Sequence, residues 1–190
     1  LYTYPNLYST NFVNTNTLKD NFPINAKSNF YGNGGIVSTA EDLQKYQNAL
    51  FTYQILGKNE VEEAVTVTIL NDGKMVINNL EGKDTSYGLG WFIYTDEING
   101  KIVFHDGFIN GLTSILAHNI TKNQTVILLS NTGSSIVFGA SNELLQLIDS
   151  KPYKIPVQNL SRVYGSLLES ENKEKASQLI EEYIKNPTNY

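Results

Sequence analysis

Hydrophobic and polar positions follow two different periods along the chain, and the change of period organises it. After Gly34, Leu43, Tyr46, Leu50 and Phe51 recur at the three- and four-residue spacing of one helix face. Ser38-Thr39-Ala40-Glu41 stands before them as a capping box, Ser three residues ahead of Glu, and Gly57 suits the stop. The pattern predicts a helix over 39–55 and a shorter one over 59–66, acidic in its first turn. Residues 67–86 keep no period and read as loop, with one short strand at Met75-Val76-Ile77. The next stretch is apolar and aromatic from Leu89 to Tyr94, and Asn99-Gly100 supplies a strong hairpin signal before Lys101 to Phe104. Asn110-Gly111 breaks the chain again before Thr113 to Ala117, and Thr121-Lys122-Asn123 turns it into Gln124 to Ser130. This is a meander of about four antiparallel strands.

A helix over 134–149 follows, with Val137, Leu144, Leu145 and Ile148 on one side. Pro152 and Pro156 then mark a linker, and 158–186 reads as two short helices, the second striped by Ala176, Leu179, Ile180, Tyr183 and Ile184. Residues 1–33, rich in Asn, Thr, Tyr and Phe with Pro5 and Pro23, form an irregular lead-in. A loop of that length is unusual in a compact domain and is expected to lie against a partner. The fold class is α+β: an antiparallel sheet with helix 134–149 packed on it. Three regions are expected, 1–33 as lead-in, 34–150 as the folded body and 151–190 as a helical tail.

Composition narrows the chemistry. The 190 residues suit about one domain, and 14 Lys+Arg against 19 Asp+Glu leave a net charge of −5. With no cysteine and only two histidines, thiol chemistry, disulfides and zinc ribbons are excluded, and neither a metal nor another cofactor is expected. An acidic chain without a basic run is a poor nucleic-acid binder, since phosphate contacts need clustered Lys and Arg. No apolar run reaches the roughly 18–20 residues of a membrane helix. LYTYPNLYST carries no leader pattern, and a start at Leu1 rather than Met suggests a piece of something longer.

The segment of most chemical interest is His105-Asp106-Gly107, at a strand end and followed by Phe108. Glycine there lets a substrate lie close against the strand edge, and the next N–H can point at a developing oxyanion. Taken in isolation, the same residues also describe a half-buried strand histidine before a turn. The wider context decides between these. In order, the chain shows Gly34-Gly35-Ile36-Val37-Ser38-Thr39-Ala40-Glu41-Asp42-Leu43, Tyr87-Gly88-Leu89-Gly90-Trp91, His105-Asp106-Gly107 with Gly111, and Leu128-Leu129-Ser130-Asn131. Over residues 32–149 this order resembles the C-terminal half of the class C β-lactamase-like serine hydrolases, which include β-lactamases, D-Ala-D-Ala peptidases and esterases.

The resemblance implies a partial β-lactamase/transpeptidase-like fold, with helix 39–55 beside the site. Such enzymes use a Ser-x-x-Lys nucleophile, a Tyr-x-Asn loop and a Lys-Thr-Gly or His-x-Gly strand, and only the last is matched here, on His105 to Gly107. It implies that His105 faces the substrate or the nucleophile's proton network, that the N–H of Phe108 is one oxyanion donor, and that Asp106 and Asn110 border the substrate. Formal matches to the other motifs fail on context. Ser170-Glu171-Asn172-Lys173 sits in a charged stretch, whereas a nucleophilic serine needs a buried setting with a base beside it. Tyr4-Pro5-Asn6 lies too near Gly34, and Tyr46-Gln47-Asn48 falls inside a helix with Tyr46 expected in the core.

His118 and Trp91 read as structural, Glu62-Glu63 and Glu181-Glu182 as solvated helix faces, and the Asn-x-Ser/Thr triplets at Asn119, Asn123 and Asn159 as chance in an Asn-rich chain. The functional expectation is the C-terminal fragment of a serine hydrolase cleaving a β-lactam, a D-Ala peptide or an ester through an acyl-serine, inactive alone. The alternative is a non-catalytic peptide- or partner-binding module on the same scaffold. Expected partners are the missing N-terminal part and, in the parent, a small-molecule or peptide substrate, with self-association of the fragment and an exported bacterial setting suggested by the family.

Overall fold

The computed structural model describes residues 2–3, 11–18, 32, 34–80, 83–109, 111–132, 136–155, 164–165, 167–168 and 172–185. Its centre is a six-stranded sheet in which every neighbouring pair is antiparallel. The strands are β3 (Asn78–Leu80), β4 (Lys83–Tyr87), β5 (Phe92–Asp96), β6 (Gly100–Ile109), β7 (Leu112–Asn119) and β8 (Gln124–Ser130), in that spatial order. Two shorter strands, β1 (Tyr2–Thr3) and β2 (Val13–Asn14), pair with each other inside the stretch read as lead-in. The helices are α1 (Ala40–Phe51), α2 (Lys58–Ala64), α3 (Ile136–Ile148) and α4 (Lys173–Lys185).

Period-2 alternation splits the sheet's side chains between two covers. On β6 the adjacent residues Ile102 and Val103 enter opposite cores. Val103 joins Ile93, Trp91, Leu50, Val61 and Val65 beneath α1 and α2, while Ile102 joins Tyr94, Val126 and Leu145 beneath α3. Antiparallel neighbours and helices on both faces thus give an α+β layer, as the pattern predicts. The sheet holds more than the four strands expected, because 67–86 is not loop throughout. Met75 makes only an isolated bridge to Ile69, and the pairing strands are β3 and β4. Their polar run Asn78-Asn79 and Lys83-Asp84-Thr85-Ser86 hides them from any hydrophobic count.

Element ends also differ from the sequence reading, each for a local reason. Thr39, not Ser38, caps α1, its side chain accepting from the Asp42 N–H at 3.1 Å. The helix stops at Phe51, with Tyr53 left-handed at φ 62°, Gln54 N–H bonding Ala49 C=O and Tyr53 N–H bonding Leu50 C=O. That pair of hydrogen bonds is a Schellman ending, and Gly57 instead stands as the N-cap residue of α2. Tyr46, expected in the core, is exposed, and Gln47 takes the fully buried position beside it. Strand β5 starts at Phe92 rather than Leu89 because 88–91 is a turn closed by Gly88 N–H to Trp91 C=O. The β5–β6 connection spans the three residues 97–99 between paired Asp96 and Gly100, so Gly100 opens β6 rather than completing a two-residue turn.

Candidate active site

Strand β6 outruns its neighbour. Its pairing with β5 ends at Phe92↔Phe104, while its pairing with β7 continues through His105↔Leu116 to Ile109↔Leu112. Among the described residues, His105 to Ile109 therefore have a strand on one side only. Ile109 and Leu112 close a two-residue hairpin, and antiparallel hydrogen bonding alternates from that pair. The N–H and C=O groups of Ile109, Gly107 and His105 accordingly turn towards β7. Those of Phe108 and Asp106 turn to the open edge, where an extended backbone can add.

The His105 imidazole is exposed and lies against that edge. Its Nδ1 is 2.8 Å from the Asp106 carbonyl oxygen, and its Nε2 is 3.0 Å from the Tyr87 hydroxyl. A carbonyl only accepts, so Nδ1 carries the proton, and in the neutral ring Nε2 accepts from Tyr87. Tyr87 reaches it from the end of β4, its ring edge-on to Phe92 at 4.8 Å. Phe92 also flanks the imidazole, at 5.4 Å between centroids.

Gly107 faces Ser114 across the β6–β7 pair, and a Cβ there would lie 2.6 Å from Ser114 Oγ. An added methyl would make the Ser114 hydroxyl turn aside, a small adjustment, so the neighbouring strand does not by itself demand glycine here. Phe108 is exposed at the edge. The Asp106 side chain points into a cavity of about 220 Å³, on the face shared with Lys83, Thr85, Phe92, Tyr94 and Phe104. Asn110 lies outside the described residues, as do Tyr4-Pro5-Asn6 and Ser170. His118 is not brought to this edge. It is buried, stacked on Phe51 at 3.9 Å and bonded through Nδ1 to Thr125 Oγ1 at 2.9 Å, and burial lowers its pKa to about 4. Among the described residues no group of three His, Asp or Glu side chains is placed to hold a metal ion, and no helix is long and apolar enough to cross a membrane.

Residues 5–149 match the Beta-lactamase family. The chain belongs to that family. It is 25% identical over 127 residues to Penicillin-binding protein 4* of Bacillus subtilis (strain 168), an alignment covering 66% of this chain and 26% of that protein. Among solved structures it superposes on the octameric penicillin-binding protein homologue from Pyrococcus abyssi with a TM-score of 0.50 and 24% identity, over 60% of this chain and 25% of that one. The chain spans about a quarter of the length of these relatives.

Within this Beta-lactamase family domain, the Tyr87-Gly88-Leu89-Gly90-Trp91 segment has a structural explanation. A Cβ at Gly88 would stand 2.4 Å from the Ala64 carbonyl oxygen and 2.9 Å from that of Thr66, and Gly90 is left-handed at φ 82°. Trp91 packs into the core beneath α2, as expected. The segment ends β4, docks the turn on α2 and starts β5 just short of His105. Tyr87 entered the sequence reading only as part of this motif. No spacing rule connects it with a histidine 18 positions later, and only the β4–β5–β6 pairing brings them together.

Proposed function

We propose that this chain is the C-terminal part of the catalytic domain of a serine hydrolase that opens a β-lactam, a D-Ala peptide or an ester through an acyl-serine. The observation that carries this reading is the open edge of β6 at His105 to Phe108, with an exposed imidazole against it. A carbonyl substrate laid along the edge meets the Phe108 N–H, which serves as one oxyanion donor. The second donor is the N–H of the nucleophilic serine, supplied by a segment outside this chain. Among the described residues His105 has Tyr87 and the Asp106 carbonyl as hydrogen-bond partners, and neither is a serine. Its role is to face the nucleophile's proton network, with Asp106 and Asn110 bordering the substrate. On this reading 34–150 forms the hydrolase portion, 151–190 a tail, and the parent is an exported protein of the bacterial cell envelope.

The test compares this 190-residue chain with the protein extended by its upstream coding sequence. The extended protein is expected to hydrolyse a chromogenic β-lactam or ester and to lose that activity in His105→Ala, while the chain alone does neither. Acylation of a serine in the isolated chain, or full activity of His105→Ala, overturns the reading. A second reading, a binding module that pairs an extended peptide along β6, draws on the fact that both ring nitrogens of His105 are already engaged. Upstream sequence without a Ser-x-x-Lys motif favours it. The exposed edge also favours self-association, which sedimentation at high concentration detects; a monomer there counts against it.

A further inference from the structure

We propose that Tyr87 is a positioning residue for His105, which holds the imidazole against the Asp106 carbonyl at the open edge of β6 and so keeps it in one tautomer. The inference rests on the reading of His105 as a site residue and adds a member to it. Three observations carry it. The Tyr87 hydroxyl is 3.0 Å from Nε2, and Nδ1 is 2.8 Å from a group that can only accept, the Asp106 carbonyl. The carbonyl selects the Nδ1–H form, the reverse of the Nε2–H form that neutral imidazole side chains ordinarily favour in water. The hydroxyl, able to donate or accept, donates to Nε2 and keeps the ring at that carbonyl. Tyr87 cannot easily withdraw, because its ring packs edge-on against Phe92, which is itself stacked on Phe104 at 5.2 Å.

The pairing is not explained by the core. His105 is exposed and Tyr87 only half-buried, so their hydrogen bond adds little to stability. It has a chemical consequence instead. A ring held as Nδ1–H offers Nε2 as an acceptor, and the hydroxyl bonded to it keeps oxygen lone pairs free for a donor arriving from the substrate or the nucleophile. A proton approaching the edge therefore meets Tyr87 and His105 as one unit whose inner end is anchored on the backbone at Asp106. Without Tyr87 the imidazole turns about its side-chain bonds and presents either nitrogen.

The test uses the imidazole ¹⁵N spectrum of the 190-residue chain at a pH where His105 is neutral. Only two histidines contribute, and His118, three strands across the sheet from Tyr87 and stacked on Phe51, reports on the fold. Wild type is expected to show His105 with Nδ1 protonated and Nε2 unprotonated. In Tyr87→Phe the Nε2–H form is expected to rise from a minor share to at least an equal one, with His118 unchanged. Wild-type His105 in the Nε2–H form, or the same tautomer in both proteins, overturns the proposal. If Tyr87→Phe moves the His118 signals as well, the wild-type tautomer alone decides in the same sense. Hydrolysis by the extended protein is a separate readout: a tautomer shift in Tyr87→Phe alongside full activity of His105→Ala leaves the positioning intact and removes the site reading.

Discussion

Replacing Gln47 by methionine should make the chain more stable, although it deletes a hydrogen-bonding side chain. Gln47 lies on the inner face of α1 and is 0% exposed, and among the described residues neither its Oε1 nor its Nε2 has a partner. Leaving a buried polar group unsatisfied costs about 1–3 kcal/mol, because its hydration is lost with nothing in exchange. Methionine has nearly the same length and volume, so no cavity or overpacking term enters, and its helix propensity is close to that of glutamine. The net gain is then about 2 kcal/mol by the same cost. For a chain of this size that is a rise in Tm of about 4–8 °C. Urea unfolding of the two proteins reads it directly, with the midpoint moving up and the slope unchanged. Gln47→Glu is the control, expected to fall well below wild type because it buries a carboxylate. Equal or lower stability of Gln47→Met would refute the reasoning, since the carboxamide must then be bonded where the structure leaves it orphaned.

Other perturbations probe the supports around the candidate site. His118 titrates near 4 when folded and near 6.5 when unfolded, so between those values the unfolded chain binds the extra proton and stability falls as the pH drops from 6.5 towards 4. His118→Asn should flatten that part of a stability-against-pH profile; an unchanged slope would remove His118 as its cause. Gly88→Ala should cost about 2 kcal/mol or more by overpacking, because the added methyl meets two backbone carbonyls; a neutral result in thermal melts would show that the turn relaxes freely. Asp149 accepts from Gln124 at 2.7 Å and pairs with Lys122 and with Lys151, and these bonds, that of Gln124 first, hold its carboxyl well below the usual carboxylate range. Asp149→Ala should lower the melting temperature at neutral pH, and that difference from wild type should shrink once acid protonates the carboxylate. A variant that melts like wild type at pH 7 would show that the cluster contributes nothing to stability.

Much of the scaffold is legible without coordinates. The helical period at Leu43, Leu50 and Phe51 marks α1, and the apolar run before Asn110-Gly111 marks the β6–β7 hairpin that carries the candidate site. Strands β3 and β4 are not legible, because their residues are polar and their pairing is satisfied by the backbone, which leaves no mark on side-chain pattern. The end of α1 is equally hidden, since a left-handed Tyr53 does the work ordinarily given to glycine. At the candidate site, His105 and Gly107 stand out through their motif. Tyr87 does not, because its partnership depends on a strand register and not on a spacing.

The sequence by itself determined the α+β class, the order of the meander, the absence of thiol chemistry and the strand on which a histidine and a glycine meet. Tertiary structure decided which part of that strand is open. Phe104 is the last β6 residue with a neighbour on β5, because Gly88 and Gly90 fold the chain back before β5 can run further. It also decided the state of the imidazole, held between a hydroxyl from β4 and a carbonyl of its own strand. Periodicity reports which face a residue occupies. Where a strand loses its neighbour, and what reaches across the gap, depends on the register of three chain segments at once.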